Sequence, residues 1–234
     1  MDPQAALQAA LASPVLDLLV TLLAYQIGLV LYDRSGRHPL LLPVFVGLLL
    51  VIGANLLLDR SFADYRAGAE ALYVLLGPVT VALAVPLYQR ISHIRAMAGP
   101  LLITWLVTGA LVAASAWALM AGLGAGETAQ MSLVQKAATT PIAILIADAI
   151  GGIPALAAIS VMLTGIVGAM LGPTLIRRLG IQDEAVLGFA LGLSAHAVGT
   201  ARAFEISPRC GAFSALGMSL MGLLLAVTLP LIFS

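Results

Sequence analysis

Charge is what this chain has least of. Only 9% of its 234 residues are Asp, Glu, Lys or Arg, 61% are hydrophobic, and the mean hydropathy is +1.08. A soluble domain carries about 25% charged residues. The polar surface that would coat a globule in water is missing, so the composition implies a bilayer as solvent. Acidic and basic residues balance at 11 each and no basic block occurs, which removes the electrostatic footprint of a nucleic-acid binder. Cysteine is nearly absent. Cys210 alone makes no intrachain disulfide, and no Cys/His cluster proposes a metal; it reads as a small packing residue. Catalytic motifs are missing too: there is no GxSxG, HExxH or GxxxxGKS/T. No nucleophile stands with a base, so neither an enzyme nor a cofactor is expected. The opening MDPQAALQAALASP has no positive segment and does not read as a cleaved signal peptide.

What the chain does have is long apolar runs. A bilayer core takes about 20 apolar residues per helix. About eight apolar elements are found, near 13–32, 38–58, 70–89, 99–123, 131–150, 153–177, 184–204 and 210–233. A membrane β-barrel would show short alternating segments instead. The expected fold is all-α: one polytopic membrane helix bundle over residues 1–234.

Three elements carry interruptions. The third has Gly77-Pro78 in mid-span and the fifth has Thr139-Thr140-Pro141 inside and Gly151-Gly152 at its close. The seventh has Gly199 between polar residues. Proline inside a helix removes a donor and clashes with the preceding turn, so the fifth element is read as broken or re-entrant. An offset of 120 lays Pro78-Val79-Thr80 on Val198-Gly199-Thr200. An offset of 115 lays Pro39 on Pro154 and Gly53-Ala54 on Gly168-Ala169. Interrupted helices in corresponding positions of two halves point to a transporter site, here with halves near 13–123 and 131–234. The positive-inside rule puts the loops holding Arg34/Arg37, Arg90/Arg95 and Arg177/Arg178 in the cytoplasm. They agree if the fifth element enters and leaves on one side. The halves are then inverted, with the N-terminus outside and the C-terminus inside.

Charged or polar groups inside a span are costly and draw attention. The stretch LSAHAVGTARAFEIS places His196, Thr200, Arg202 and Glu205 within ten residues. Arg202 could hold a carboxylate bidentately, and His196 or Glu205 could carry a coupling proton. The competing reading is a structural Arg202–Glu205 pair and a bonded interhelix histidine. In KAATTPIA, Thr139 and Thr140 offer hydroxyls where Pro141 frees a carbonyl, either for a substrate or to patch a proline kink. Lys136 reads equally as a substrate charge partner or a snorkelling side chain. Asp148 could carry a proton, cap the next helix or sit in interface water. Asp17 and Asn55 read as interhelix hydrogen bonds.

KAATTPIAILIADAIGGIPALAAISVMLTGIVGAMLGP, ALGLSAHAVGTARAFE and LLGPVTVALAVPLYQR together resemble the LrgB/CidB family, which includes the membrane half of the plastid glycolate/glycerate translocator. The resemblance covers nearly the whole chain. Ala137-Ala138 stand where the family commonly has Ser-Val, and the region of Ala157-Ala158 lacks a common threonine. The resemblance implies a fold like the sodium/proton antiporter and bile-acid symporter group, with two interrupted helices crossing at mid-membrane. It implies residence in the bacterial plasma (inner) membrane. Two functions follow as expectations. One is secondary transport of small monocarboxylates such as glycolate, glycerate, pyruvate or lactate. Thr80, Thr139, Thr140, His196, Gly199, Thr200 and Arg202 would bind substrate, and His196, Glu205 or Asp148 would be proton-linked. The other is antiholin-like regulation of murein hydrolase export and autolysis, through homo-oligomers and a smaller LrgA/CidA-type membrane partner.

Overall fold

The computed structural model describes residues 13–82 and 84–233. Its described residues form helices and turns and no strand. The chain divides by packing at 82/83 into two compact units, whereas the halves expected near 13–123 and 131–234 come from the offsets in the sequence.

In the first unit, α1 (Pro14–Arg34) starts where Ser13 accepts a hydrogen bond from Val15 N–H and proline takes the first helical position, where its missing donor costs nothing. A 3-10 turn (Pro39–Leu41) leads to α2 (Pro43–Leu57), then α3 (Phe62–Gly68) and α4 (Glu70–Ala82). Helix α2 packs tightly on α1: a Cβ at Gly28 would lie 2.8 Å from the Pro43 carbonyl oxygen. Between α2 and α3 the chain turns by 118°. That bend is pinned to α1, because the Arg60 guanidinium holds both carboxylate oxygens of the buried Asp17, with Nη2 to Oδ2 at 2.9 Å. Thr21 and Tyr65 share a second bond of 2.9 Å. Gly68 faces the Asp17 carboxylate, and a Cβ there would overlap it. Asp17 is thus an ion-pair partner rather than a plain interhelix hydrogen bond. Asn55 bonds back within α2 to the Val51 carbonyl.

Helix α4 runs through Gly77 and Pro78 as one helix. The interruption expected there is replaced by a proline inside a helix, which membrane helices tolerate. The surroundings of Gly77 and the side chain of Thr80 lie outside what the structure describes.

The second unit opens with α5 (Ala84–Gln89), α6 (Ile91–Ala96) and α7 (Ala98–Gly122), then α8 (Glu127–Leu133) and α9 (Thr140–Ala149). The long helices α10 (Pro154–Arg178), α11 (Glu184–Ile206) and α12 (Pro208–Phe233) close the chain. Helices α1, α7, α10, α11 and α12 are long and apolar enough to cross a membrane, and the bent α2–α3 pair makes six if it is one span. Of the other apolar elements of the sequence, the fifth divides into the shorter helices α8 and α9, and the third contains residue 83, which lies outside the described residues.

Helix α11 is the central one. Of its apolar window 61% is buried, against 17–33% for the other four. It packs on α12 backbone to backbone. A Cβ at Gly188 or Gly192 would strike the carbonyl oxygens of Cys210 and Ser214, and one at Gly217 would lie 2.7 Å from that of Phe189. Lipid tails are as apolar as leucine, so small residues that allow close approach are what hold membrane helices together. Around this pair sits a core that includes Phe189, Leu193, Phe213, Met221 and Leu225. Trp105 of α7 donates its indole N–H to the Leu220 carbonyl at 2.8 Å.

Candidate functional site

Two irregular places in the second unit bring polar groups into its interior. The first is inside α11. His196 sits at φ 40°, ψ −128° between two helical stretches. Positive φ in a residue with a side chain is rare and survives where its surroundings over-determine it. Here they do. His196 Nε2 lies 2.8 Å from the Val161 carbonyl of α10; a carbonyl only accepts, so Nε2 carries the proton. Gly165 makes room for the ring, since a Cβ there would be 2.7 Å from Nε2. Thr200 donates to the His196 carbonyl at 2.8 Å, and Ser214 of α12 lies 3.0 Å from the Thr200 hydroxyl. His196, Thr200 and Ser214 are all buried.

The departure from helix therefore lies at His196, three residues before Gly199. Glycine 199 has a different task. A Cβ on it would lie 2.7 Å from the Leu191 carbonyl and 2.6 Å from the Ala195 Cβ of its own helix. The fold-back at His196 brings residue 199 so close to the preceding stretch that only glycine fits.

The second irregular place is residues 134–139, between α8 and α9. Pro141 falls in the first turn of α9, so it begins a helix instead of kinking one. It has no N–H, and the Ala137 carbonyl four residues earlier has no helical donor. Thr139 occupies the N-cap position; its carbonyl accepts from Ala143 N–H at 2.9 Å, but its side chain makes no capping bond. Gln135 is fully buried; its Nε2 donates to the Ser132 carbonyl at 3.0 Å. Its Oε1 has no partner. Ser132 donates to the Thr128 carbonyl and accepts from Ile153 N–H at 2.7 Å. It thereby ties this segment to the turn at Gly151-Gly152. Gly151 is at φ 77° and a Cβ on Gly152 would lie 2.8 Å from the Met131 carbonyl oxygen, so that turn needs both glycines.

The remaining sequence candidates are peripheral. Arg202 Nη1 and Glu205 Oε2 pair at 2.6 Å, with side chains 18% and 34% exposed. Asp148 and Pro141 are exposed; Lys136, Thr139 and Thr140 are half-buried. The place at His196 draws on Val161, Gly165 and Ser214, and the place between α8 and α9 on Ser132 and Gln135, none of which sequence reasoning singled out as site residues. A backbone carbonyl and a lone serine give no sequence signal, whereas Gln135, beside Lys136 in an apolar run, did.

These observations define a polytopic integral membrane protein whose interior holds a broken helix and a small hydrogen-bonded polar centre. Residues 21–234 match the LrgB-like family, and the chain belongs to that family. It is 34% identical over 221 residues to YwbG of Bacillus subtilis (strain 168), covering 94% of this chain and 97% of that one. To YxaC of the same organism it is 33% identical over 218 residues, covering 93% and 94%. To the antiholin-like protein LrgB of Bacillus mycoides (strain KBAB4) it is 27% identical over 225 residues, covering 94% and 95%. No solved structure matches the chain.

Proposed function

We propose that this protein acts as an antiholin-like membrane protein of the bacterial plasma membrane, a non-catalytic regulator of murein hydrolase export and autolysis. It would work as a homo-oligomer with a smaller LrgA/CidA-type partner. The observation that carries this reading is family membership over residues 21–234, together with relatives named antiholin-like protein LrgB. The test is deletion and complementation in the native host, reading detergent-induced lysis and secreted murein hydrolase activity. Faster lysis in the deletion, restored by the wild-type gene, is expected. Unchanged lysis and hydrolase profiles would sink the proposal.

A second reading has its own observation. A regulator acting through lateral contacts has no need of a buried polar centre at a strained histidine, yet His196, Thr200 and Ser214 form one. This favours secondary transport of small monocarboxylates with alternating access, coupled to a proton or another ion. Thr139, Thr140, His196, Thr200 and Arg202 would meet the substrate. His196 or Glu205 would be proton-linked, with Asp148 as a more peripheral candidate. Uptake of labelled glycolate or pyruvate into proteoliposomes tests it. Rates untouched by both His196→Ala and Arg202→Ala would remove these residues from the site.

A further inference from the structure

The two ends of α11 meet. Ser207, just past its last residue, donates to the carboxylate of Glu184, its first, at 2.7 Å. Asp183 and Arg209 close a second contact across the same base at 3.2 Å. A straight helix would hold residues 184 and 207 about 34 Å apart. The contacts of its neighbours give the direction of each stretch. Gly172, Gly168 and Gly165 of α10 face Leu191, Ala195 and His196 in turn, so residues 184–195 run antiparallel to α10. Gly188 and Gly192 face Cys210 and Ser214, so the same stretch runs parallel to α12. Residues 197–206 run back the other way: Phe204 faces Gly211, and Thr200 meets Ser214 and Met218. The two stretches rise about 18 and about 15 Å. A bilayer core is about 30 Å thick, so neither stretch crosses it.

We infer that α11 is a re-entrant hairpin, with His196 at its tip near mid-membrane and both of its ends on one face, so that the end of α12 emerges on the opposite face. His196, Thr200 and Ser214 then sit where two half-helices meet, and not inside a span. The rest of the second unit agrees. Trp105 bonds the Leu220 carbonyl and Gly109 faces Leu224, so α7 runs parallel to α12. Their ends share a face, and α10 starts on that face and ends on the other. Residues 123–153 therefore leave and return on one side, as the arginine pattern of the sequence requires. Arg95, Arg177, Arg178 and Arg209 lie toward the base of the hairpin, whereas residues 122–126 and 150–153 hold no Lys or Arg. The positive-inside rule makes that base cytoplasmic and the end of α12 external. Counting α11 as a span puts the end of α12 inside instead.

The test is accessibility of the full chain in sealed right-side-out membrane vesicles. A protease-cleavable tag added after Ser234 should be cut from outside. An impermeant maleimide should treat Pro208→Cys, at the exposed start of α12, like Leu179→Cys: no label until the vesicles are opened. A tag that is cut only after opening overturns the hairpin, and this arm alters no residue of the protein. Pro208→Cys labelled from the side opposite to Leu179→Cys overturns it as well. Either failure leaves both readings of function standing, since neither regulation of lysis nor acid transport is assumed.

Discussion

Among single residues, the glycines separate cleanly by what lies where a Cβ would point. Gly192 faces the Ser214 carbonyl, part of a helix backbone that cannot swing aside, whereas Gly53 of α2 faces open space. Gly192→Ala should therefore lower thermal stability in detergent by about 1–3 kcal/mol, the usual cost of overpacking. Gly53→Ala should leave it unchanged or raise it by up to ~1 kcal/mol, through helix propensity. Equal effects of the two would refute the backbone-contact account of α11 and α12. The same distinction explains what the sequence conceals at Gly199. Glycine between two polar residues reads as a hinge, but a glycine that accommodates a fold and one that makes it have the same letter. The fold itself is made at His196, and what fixes it there is the Val161 carbonyl 35 residues away, a long-range partner with no local signature.

At the level of elements, the bent α2–α3 pair depends on one buried ion pair. The stretch DRSFADYRAGAE reads from its charges as a loop, yet Phe62–Gly68 is helical, with Ser61 as its N-cap. Arg60 reaches a partner 43 residues back. Composition shows the charges and not the pairing. Removing one member of such a pair leaves the other buried and uncompensated. Asp17→Asn should cost about 3–5 kcal/mol, seen as a large drop in melting temperature, and Asp17→Leu with Arg60→Met together should recover much of it. A double variant no better than the single would mean that the pair is not what holds the bend. Helix α11 begins differently. Asp183 accepts from Ala185 and Val186 N–H at 2.7 and 3.2 Å. Chiefly the Val186 bond holds its carboxyl below the ordinary 3.8. A depressed folded-state value makes this cap's contribution complete above the unfolded carboxylate range and lost as pH falls through the folded value. Asp183→Ala should cost about 1 kcal/mol at pH 7, a difference that shrinks toward pH 3. A gap between wild type and variant that stays constant from pH 7 to pH 3 would contradict the cap.

For the molecule as a whole, the class and the long spans were legible because they rest on bulk apolarity. Among the described residues, five of the eight apolar elements are helices long enough to span by length, at Pro14–Arg34, Ala98–Gly122, Pro154–Arg178, Glu184–Ile206 and Pro208–Phe233. The buried centre was half legible. Thr200 and His196 stand out in an apolar stretch, while Ser132, Gln135 and Ser214 gain their importance from neighbours distant in sequence. Arg202 and Glu205, the loudest letters, lie toward the periphery. The arginine distribution carries one further expectation about orientation. With Cys210 buried, an impermeant maleimide should label Gly124→Cys in intact cells and Leu179→Cys only after lysis; the reverse pattern would invert the assigned topology.

The buried polar residues described in the second unit are Ser132, Gln135, His196, Thr200 and Ser214. None carries a permanent charge. Shifting a full elementary charge through 100 mV of membrane potential is worth about 2.3 kcal/mol. A centre built from hydroxyls, an amide and an imidazole drags no such charge with it. The buried residues themselves therefore add almost no electrical work to a rearrangement with His196 neutral, and any hold of the resting voltage on these helices would act through the charged groups around them, Lys136, Asp148, Arg202 and Glu205.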